Sequence, residues 1–194
     1  MFNFTKHKRT SMEAEILAQS KISEIILDAY LGQQGEINID VPHDINRIII
    51  VASGSSYHCA RYAAELFSSI SKIEARAVYS SEFLLEETIA HQDGILYIFI
   101  TQSGETTDTN SALEKAKEFG VKTLCITNKE NSTIWNASDY KVACHAGEEK
   151  SIAATKSFSS QLLCSTLLAL KFAQNKGIDV YDYILDLKSI PSFI

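Results

Sequence analysis

The stretch "ILYIFITQSGETTDT", residues 95 to 109, joins a strand-like run to a cluster of hydroxyl side chains. Its first six residues are apolar and uncharged, which is typical of a strand buried on both faces of a parallel sheet. The "TQSGETTDT" that follows holds five serines and threonines around one glycine, and a helical pattern comes next. A buried strand that ends in hydroxyls before a helix indicates a binding loop.

Four further apolar runs predict a sheet around this strand. They lie at residues 47–53, 74–80, 122–127 and 140–145. Helical patterns separate the runs, most clearly at 57–70 and 110–120, and a long apolar helix is predicted at 155–177. The alternation predicts the α/β class, as a three-layer α/β/α sandwich with a five-stranded parallel sheet of the flavodoxin-like kind.

The two ends of the chain differ from this alternating pattern. We predict a helix from about Ser11 to Leu31, started by the capping-box spacing of Thr10 and Glu13. The last 14 residues predict a helix followed by an extended segment around Pro191. The predicted organisation is an N-terminal helix in residues 1–34, an α/β domain in 35–180, and a C-terminal helix and linker in 181–194.

Composition excludes several functional classes. The 194 residues are 45% hydrophobic, which suits one domain with a sizeable core. The net charge of -6 argues against nucleic acid or an anionic membrane surface as a partner. The four cysteines form no C-x-x-C pair, and no apolar leader or span of about 20 apolar residues occurs, so we expect reduced thiols and a cytoplasmic location.

Three loops at predicted strand ends carry the candidate chemistry. They read "SGSSYH" (53–58), "TQSGETTDT" (101–109) and "AGEEKSIAATKS" (146–157). The first lacks the glycines of a dinucleotide fingerprint and the lysine of a Walker A loop, and His58 stands where a nucleophile elbow needs glycine. A polar turn with a helix cap explains it equally well. The loop therefore favours no nucleotide cofactor, and we expect no other cofactor and no metal.

The second loop predicts a phosphate site. A helix N-terminus offers free backbone N–H groups and a partial positive charge, and hydroxyls add neutral donors, so a phosphate dianion can be held without lysine or arginine. In the third loop, Lys156 is a candidate to close over an anion, and Glu148 or Glu149 a candidate general base. The simpler alternatives are helix caps for Thr106 or Thr107 and a solvated charged loop for residues 146–157.

Taken together, these motifs resemble the sugar isomerase (SIS) domain family. The chain carries "GSSY" (54–57), "SEF" (81–83), "TQSGETTDT" and "GEEKSIAATK" (147–156) in the order of that family. Within it, the likeness is greatest to the first SIS domain in the isomerase half of glutamine–fructose-6-phosphate aminotransferases, and it spans roughly residues 12–194. The "KS" at 150–151 departs from the family pattern. The resemblance implies that residues 181–194 lead toward a second SIS domain.

The resemblance also implies roles for individual residues. Glu149 matches a glutamate near the ligand and is the candidate catalytic residue. Ala153 and Lys156 match positions near the sugar. Six residues fall in the two phosphate-binding loops: Ser55, Ser56, Thr101, Gln102, Ser103 and Thr106.

The function implied is a phosphosugar-binding SIS domain of an amino-sugar-phosphate isomerase, aminotransferase or deaminase. Its substrate would be fructose 6-phosphate or glucosamine 6-phosphate, and the partner a second copy in a homodimer or homo-oligomer. The alternative is a non-catalytic phosphosugar-binding or regulatory module, because the second half of the family's enzymes, with its general base, is not matched here. A nucleotide-binding Rossmann protein is disfavoured, since the glycines and the acidic residue after the second strand are missing.

Overall fold

The computed structural model describes residues 9–87, 90 and 93–194, and in them five parallel strands form one sheet. The strands run in the spatial order β2-β1-β3-β4-β5. Their bounds are β1 Arg47–Ala52, β2 Glu74–Tyr79, β3 Ile95–Thr101, β4 Lys122–Thr127 and β5 Tyr140–Ala143. The predicted strands and their parallel arrangement are confirmed, and the order is that of a flavodoxin-like doubly wound sheet.

Eight helices of the described residues surround the sheet. They are α1 Ser11–Leu17, α2 Gln19–Tyr30, α3 Ser56–Ser69, α4 Ser80–Leu85, α5 Thr107–Glu118, α6 Thr133–Ala137, α7 Lys156–Asn175 and α8 Tyr181–Phe193. Alternate residues of β1 face opposite layers: Ile48 and Ile50 pack with α2, α3 and α7, whereas Ile49 and Val51 pack with α4, α5 and α6. Two apolar clusters on opposite faces confirm the predicted three-layer sandwich.

The N-terminal region holds two helices where the sequence predicts one. Thr10 accepts a hydrogen bond from the Glu13 amide, as its capping position predicts, but a turn at Ala18 separates α1 from α2. Residues 1–8 of the predicted segment 1–34 lie outside the described residues. The division into 1–34, 35–180 and 181–194 stays a prediction.

Tyr30, at the end of α2, seals one edge of the sheet. Its hydroxyl donates to the Ala143 carbonyl (3.0 Å) and accepts from the Ala143 amide (2.8 Å) on the outer strand β5. Burial raises the pKa of Tyr30, so the hydroxyl stays neutral and can make both bonds. An edge strand with satisfied backbone groups is less open to pairing with another chain.

The predicted extended segment at Pro191 is wrong. Helix α8 continues through Pro191 to Phe193. The Ser20 hydroxyl donates to the Pro191 carbonyl (2.6 Å), and Ile184 and Leu187 are buried beneath the helix. Because proline lies within the last turn, its missing N–H removes only one hydrogen bond of α8, and packing against α2 compensates for it.

The cysteines of the core are shielded from solvent. All four cysteines are buried free thiols, and burial raises the pKa of Cys59 to about 12 and of Cys125 to about 11. No helix of the described residues is long and apolar enough to cross a membrane. In the same part of the chain, no group of three or more His, Cys, Asp or Glu side chains has the arrangement of a metal site.

Candidate functional site

A crevice opens where β1 and β3 end side by side. From β1 the chain crosses by α3 to β2 on one side, and from β3 it crosses by α5 to β4 on the other. The two connections diverge, so the loops after Ala52 and Thr101 leave a gap between them. This is the topological switch point of the sheet, where open α/β proteins bind ligands.

A cavity of about 240 Å³ lies in this crevice. The side chains around it are small and polar apart from one isoleucine. They are Ser53, Gly54, Ser55, Ser56, Ile100, Thr101, Gln102, Ser103, Thr106 and Thr109. All six residues that the sequence assigns to the two phosphate loops are therefore brought together. None of these lining residues carries a charge, so any anion held here would be bound by neutral donors.

The hydroxyls at the two helix starts are not simple caps. Ser55 and Thr106 occupy the N-cap positions of α3 and α5, yet neither side chain makes a capping hydrogen bond. Thr106 Oγ1 instead lies 3.0 Å from Thr101 Oγ1, across the mouth of the loop. Two helix N-termini thus face one cavity, and the hydroxyls at their N-cap positions make no capping hydrogen bond. This arrangement suits a phosphate or another small anion.

Gly104 lets the second loop turn tightly beside the cavity. Its φ of +70° lies in the left-handed region, and a Cβ there would lie 2.0 Å from Ser132 Oγ. The Gly104 amide approaches Thr101 Oγ1 (3.4 Å), and its carbonyl accepts from the Ile134 amide (3.2 Å). Only glycine satisfies both the backbone conformation and the close contact.

Glu105, one of the two acidic residues of the second loop, is not among the residues that line the cavity. Both carboxylate oxygens of Glu105 accept hydrogen bonds from Thr133, one from its amide (3.1 Å) and one from its hydroxyl (2.7 Å). These two bonds lower the pKa of Glu105, and the bond from the Thr133 hydroxyl has the larger effect. The carboxylate therefore stabilises the start of α6, and its hydrogen bonds are made to a residue outside the cavity lining.

Thr109 is a site residue that sequence reasoning missed. It is fully buried, lines the cavity, and lies 3.0 Å from Ser80 Oγ and 3.4 Å from Ser53 Oγ. This hydroxyl cluster connects the ends of β1 and β2 to α5. Helical spacing was the available signal, because Thr109 lies three positions after Thr106 and so shares its face of α5.

Asn128, after β4, joins the second loop to the third and was also missed. Its amide donates to the Gln102 carbonyl (3.2 Å). Its side chain donates to the Gly147 carbonyl (2.6 Å) and accepts from the Ala146 amide (2.7 Å). Nothing in the local sequence marks this role, since it depends on two loops that meet only in the folded chain.

The third loop lies apart from the cavity lining. Glu149, Ala153 and Lys156 are not among the described residues that line the cavity. The Lys156 ammonium is buried and donates to the Glu148 carbonyl (2.7 Å). His58 and His145, two strand-end histidines, also lie outside the lining: His58 is exposed on α3, and the His145 ring contacts Tyr30.

Glu149 holds the start of α7. Its Oε1 accepts from the amides of Thr155 (2.9 Å) and Ser157 (3.2 Å), and from the Thr155 hydroxyl (3.3 Å). Its Oε2 accepts from the Ser157 hydroxyl. The carboxylate thus satisfies two of the free amides at this helix N-terminus, which is a structural use of a residue that the sequence suggests for catalysis.

The family of this chain follows from a model described as "SIS domain", which matches residues 43–171. The chain belongs to the SIS domain family. Glutamine–fructose-6-phosphate aminotransferase (isomerizing) of Campylobacter jejuni is 38% identical over 190 residues, which are 96% of this chain and 32% of that protein. The Methanosarcina mazei enzyme of the same name is 35% identical over 192 residues, 97% of this chain and 31% of its own length. This SIS domain spans about a third of these curated relatives.

Solved structures place the fold in the same family. The C-terminal domain of glucosamine-fructose-6-phosphate aminotransferase from Francisella tularensis superposes with a TM-score of 0.89 at 30% identity, over 97% of this chain and 55% of that one. Glucosamine-6-phosphate deaminase from Thermotoga maritima has a TM-score of 0.76 at 24% identity, over 95% of this chain and 54% of its own. The second likeness shows a shared fold.

Proposed function

We propose that this SIS domain binds the phosphate of a hexose or hexosamine 6-phosphate in the cavity between β1 and β3. The observation that carries the proposal is a cavity at the topological switch point whose lining residues carry no charge. Two of its hydroxyls, those of Ser55 and Thr106, lie at helix N-cap positions without capping their helices. Ser103 illustrates the fit: its Oγ already accepts from the Glu105 amide (3.1 Å), so its proton is free for donation to a phosphate oxygen. The relatives' names supply the substrate class, fructose 6-phosphate or glucosamine 6-phosphate.

The domain would contribute binding energy to an isomerase, aminotransferase or deaminase that interconverts a ketose and an aldose phosphate. In such a reaction a base moves a proton between C1 and C2, while the anchored phosphate holds the sugar in place. We assign the sugar end to the third loop, with Glu149 as the candidate base and Ala153 and Lys156 beside the sugar. The remaining length of the relatives leaves room for further catalytic groups outside this chain.

A non-catalytic phosphosugar-binding module is the second candidate, and a specific observation favours it. The Glu149 carboxylate is occupied by the start of α7, and the Lys156 ammonium by a backbone carbonyl. A base in this state must give up hydrogen bonds before it can accept a proton. Turnover of fructose 6-phosphate or glucosamine 6-phosphate by the purified chain would exclude this candidate.

Calorimetric titration tests the binding proposal. We expect the chain to bind glucosamine 6-phosphate and fructose 6-phosphate but not unphosphorylated glucosamine. Ser103→Ala should weaken binding by about fivefold, which corresponds to the loss of one hydrogen bond. Thr107→Val is the matched control, because Thr107 is exposed on the same helix start and lies outside the cavity lining. Binding of glucosamine alone, or an unchanged affinity in Ser103→Ala, would contradict the proposal.

We also propose a cytoplasmic homodimer or homo-oligomer. Four free thiols suit a reducing compartment. Large apolar side chains are exposed on α1 and α8 and would be covered by a second copy. These are Met12, Ile16, Leu17, Tyr181, Tyr183 and Leu185. Light scattering of the purified chain distinguishes a dimer from a monomer, and a monomer at high micromolar concentration would contradict the proposal.

A further inference from the structure

The third loop depends on a carboxylate from the far end of the chain. Residues 144–155 form neither helix nor strand, so contacts outside regular secondary structure hold them in place. Glu15, on α1, is only 6% exposed and points into this loop. Its Oε1 accepts from the Lys150 amide (2.5 Å), and its Oε2 accepts from the Ser151 amide (3.3 Å). One buried carboxylate thus satisfies two consecutive backbone N–H groups, 135 and 136 residues away.

The Glu15 contact and the Glu149 contact bracket the tip of the loop. Glu15 holds residues 150 and 151, and Glu149 holds residues 155 and 157. Between them, residues 152–154 are exposed and include Ala153. The tip is therefore a short span fixed at both ends, and its position depends on two carboxylates rather than on regular secondary structure.

The charge state of Glu15 supports a permanent contact. The adjacent Ser151 hydroxyl and the amides of Lys150 and Ser151 lower its pKa, and the positive charge of Lys156 acts in the same direction. The carboxylate is therefore ionised at neutral pH and accepts strongly from both amides. Protonation would remove one acceptor only when the pH falls below the ordinary value of 4.5.

We propose that Glu15 is a positioning residue, which holds the third loop in the shape that contacts the sugar part of a bound phosphosugar. The inference rests on the proposed function for its ligand and adds α1 to the machinery of the site. It assigns the helix before the sheet a part in sugar recognition, separate from the phosphate cavity. Loss of Glu15 should affect the sugar contact and spare the phosphate contact, because the hydrogen bonds of Glu15 go to Lys150 and Ser151, which are not among the described residues that line the cavity.

The first test measures the loop without any ligand. Hydrogen–deuterium exchange of the full chain should show the amides of Lys150 and Ser151 exchanging at least about tenfold faster in Glu15→Ala than in wild type. Glu13→Ala is the matched control, since Glu13 is exposed on the same helix. Unchanged exchange in Glu15→Ala would overturn the inference, whatever the chain binds.

The second test separates sugar from phosphate. By calorimetry, Glu15→Ala should bind glucosamine 6-phosphate about tenfold more weakly, while its affinity for inorganic phosphate stays within about twofold. Glu15→Gln keeps one acceptor oxygen and should give an intermediate affinity, which also covers a poorly folded alanine variant. Equal losses for both ligands would indicate general damage and overturn the inference, as would no loss. If the wild-type chain binds neither ligand, the proposed function is wrong. The exchange rates of the Lys150 and Ser151 amides then still test whether Glu15 holds the third loop.

Discussion

The cavity between β1 and β3 and the third loop are built on opposite principles. The cavity has uncharged lining residues, helix starts on both sides, and contacts made largely within residues 53–56 and 100–109. The third loop is rich in charge, has no regular secondary structure, and is held by Glu15, Asn128 and its own Glu149. The cavity is framed by two helix starts and their hydroxyl side chains, whereas the third loop is held by its own Glu149 and by two side chains from outside it.

This difference indicates which part of a phosphosugar the cavity suits and which part the third loop suits. A phosphate is the same in every substrate of the class, so a rigid set of hydroxyls and helix N-termini is sufficient for it. The sugar end differs between substrates and must change during reaction. A loop held by a few side-chain contacts can differ in sequence while the sheet beneath it stays unchanged.

Gly104→Ala should disrupt the loop beside the cavity, and we expect this substitution to have the largest effect on stability. A Cβ at 2.0 Å from Ser132 Oγ and a φ of +70° both oppose the substitution. We expect the free energy of unfolding to fall by about 2–4 kcal/mol, as measured by urea denaturation, and phosphate binding to be lost.

Gly120→Ala is the control for Gly104→Ala. Gly120 also has a positive φ, of +67°, but nothing lies within 4 Å of its would-be Cβ. It should lose only the backbone contribution, about 1 kcal/mol. Equal losses in the two variants would mean that the contact with Ser132 has no importance for the loop.

Glu149→Gln should affect the third loop alone, with an intermediate effect. A glutamine keeps one acceptor oxygen for the N-terminus of α7. Its side-chain NH2 group is a donor, so it cannot accept from the remaining donors of Thr155 and Ser157. We expect the free energy of unfolding to fall by about 1–2 kcal/mol, while the affinity for inorganic phosphate stays unchanged. Glu148→Gln, an exposed neighbour, should change neither quantity.

The same variant also examines catalysis. If a preparation that contains this domain turns over sugar phosphate, Glu149→Gln should abolish turnover beyond what its modest loss of stability explains. Full activity in Glu149→Gln would restrict Glu149 to its structural contact with α7.

The titration of Glu105 gives the smallest expected effect and tests whether this carboxylate influences phosphate binding in the cavity. The Thr133 hydroxyl and amide lower the pKa of this carboxyl below its ordinary value of 4.5. Because the folded pKa is depressed, the resulting stabilisation is present above pH 4.5 and is lost as the pH falls through the folded value. Thr133→Val should move the NMR titration midpoint of Glu105 back toward 4.5 without weakening phosphate binding. Weaker binding in that variant would show that Glu105 is coupled to the cavity.

Much of the fold and the cavity could be predicted from local patterns. Continuous apolar runs such as residues 95–100 belong to strands buried on both faces, and the helical patterns between them require parallel crossovers. The carboxyl ends of parallel strands share one edge, so the loops after β1 and β3 were expected on the same side of the sheet, and the strand order then placed them next to each other. The course of α8 through Pro191 was predicted differently, because packing of α8 against α2 outweighs the preference of proline for a helix end. The turn at Ala18 was missed because residues 11–31 contain no glycine or proline to mark a helix end.

Residues close together in the chain account for the sheet, the family motifs and the hydroxyl character of the phosphate loops, so these features could be predicted from local patterns. The support of the rest of the site depends on contacts that form only in the folded chain. The contacts of Thr109 with Ser53 and Ser80, of Asn128 with Gly147, and of Glu15 with Lys150 join residues 19 to 135 positions apart. Hydrogen-bond partners at such separations have no fixed spacing, and they become visible only when the folded chain brings them within about 3 Å.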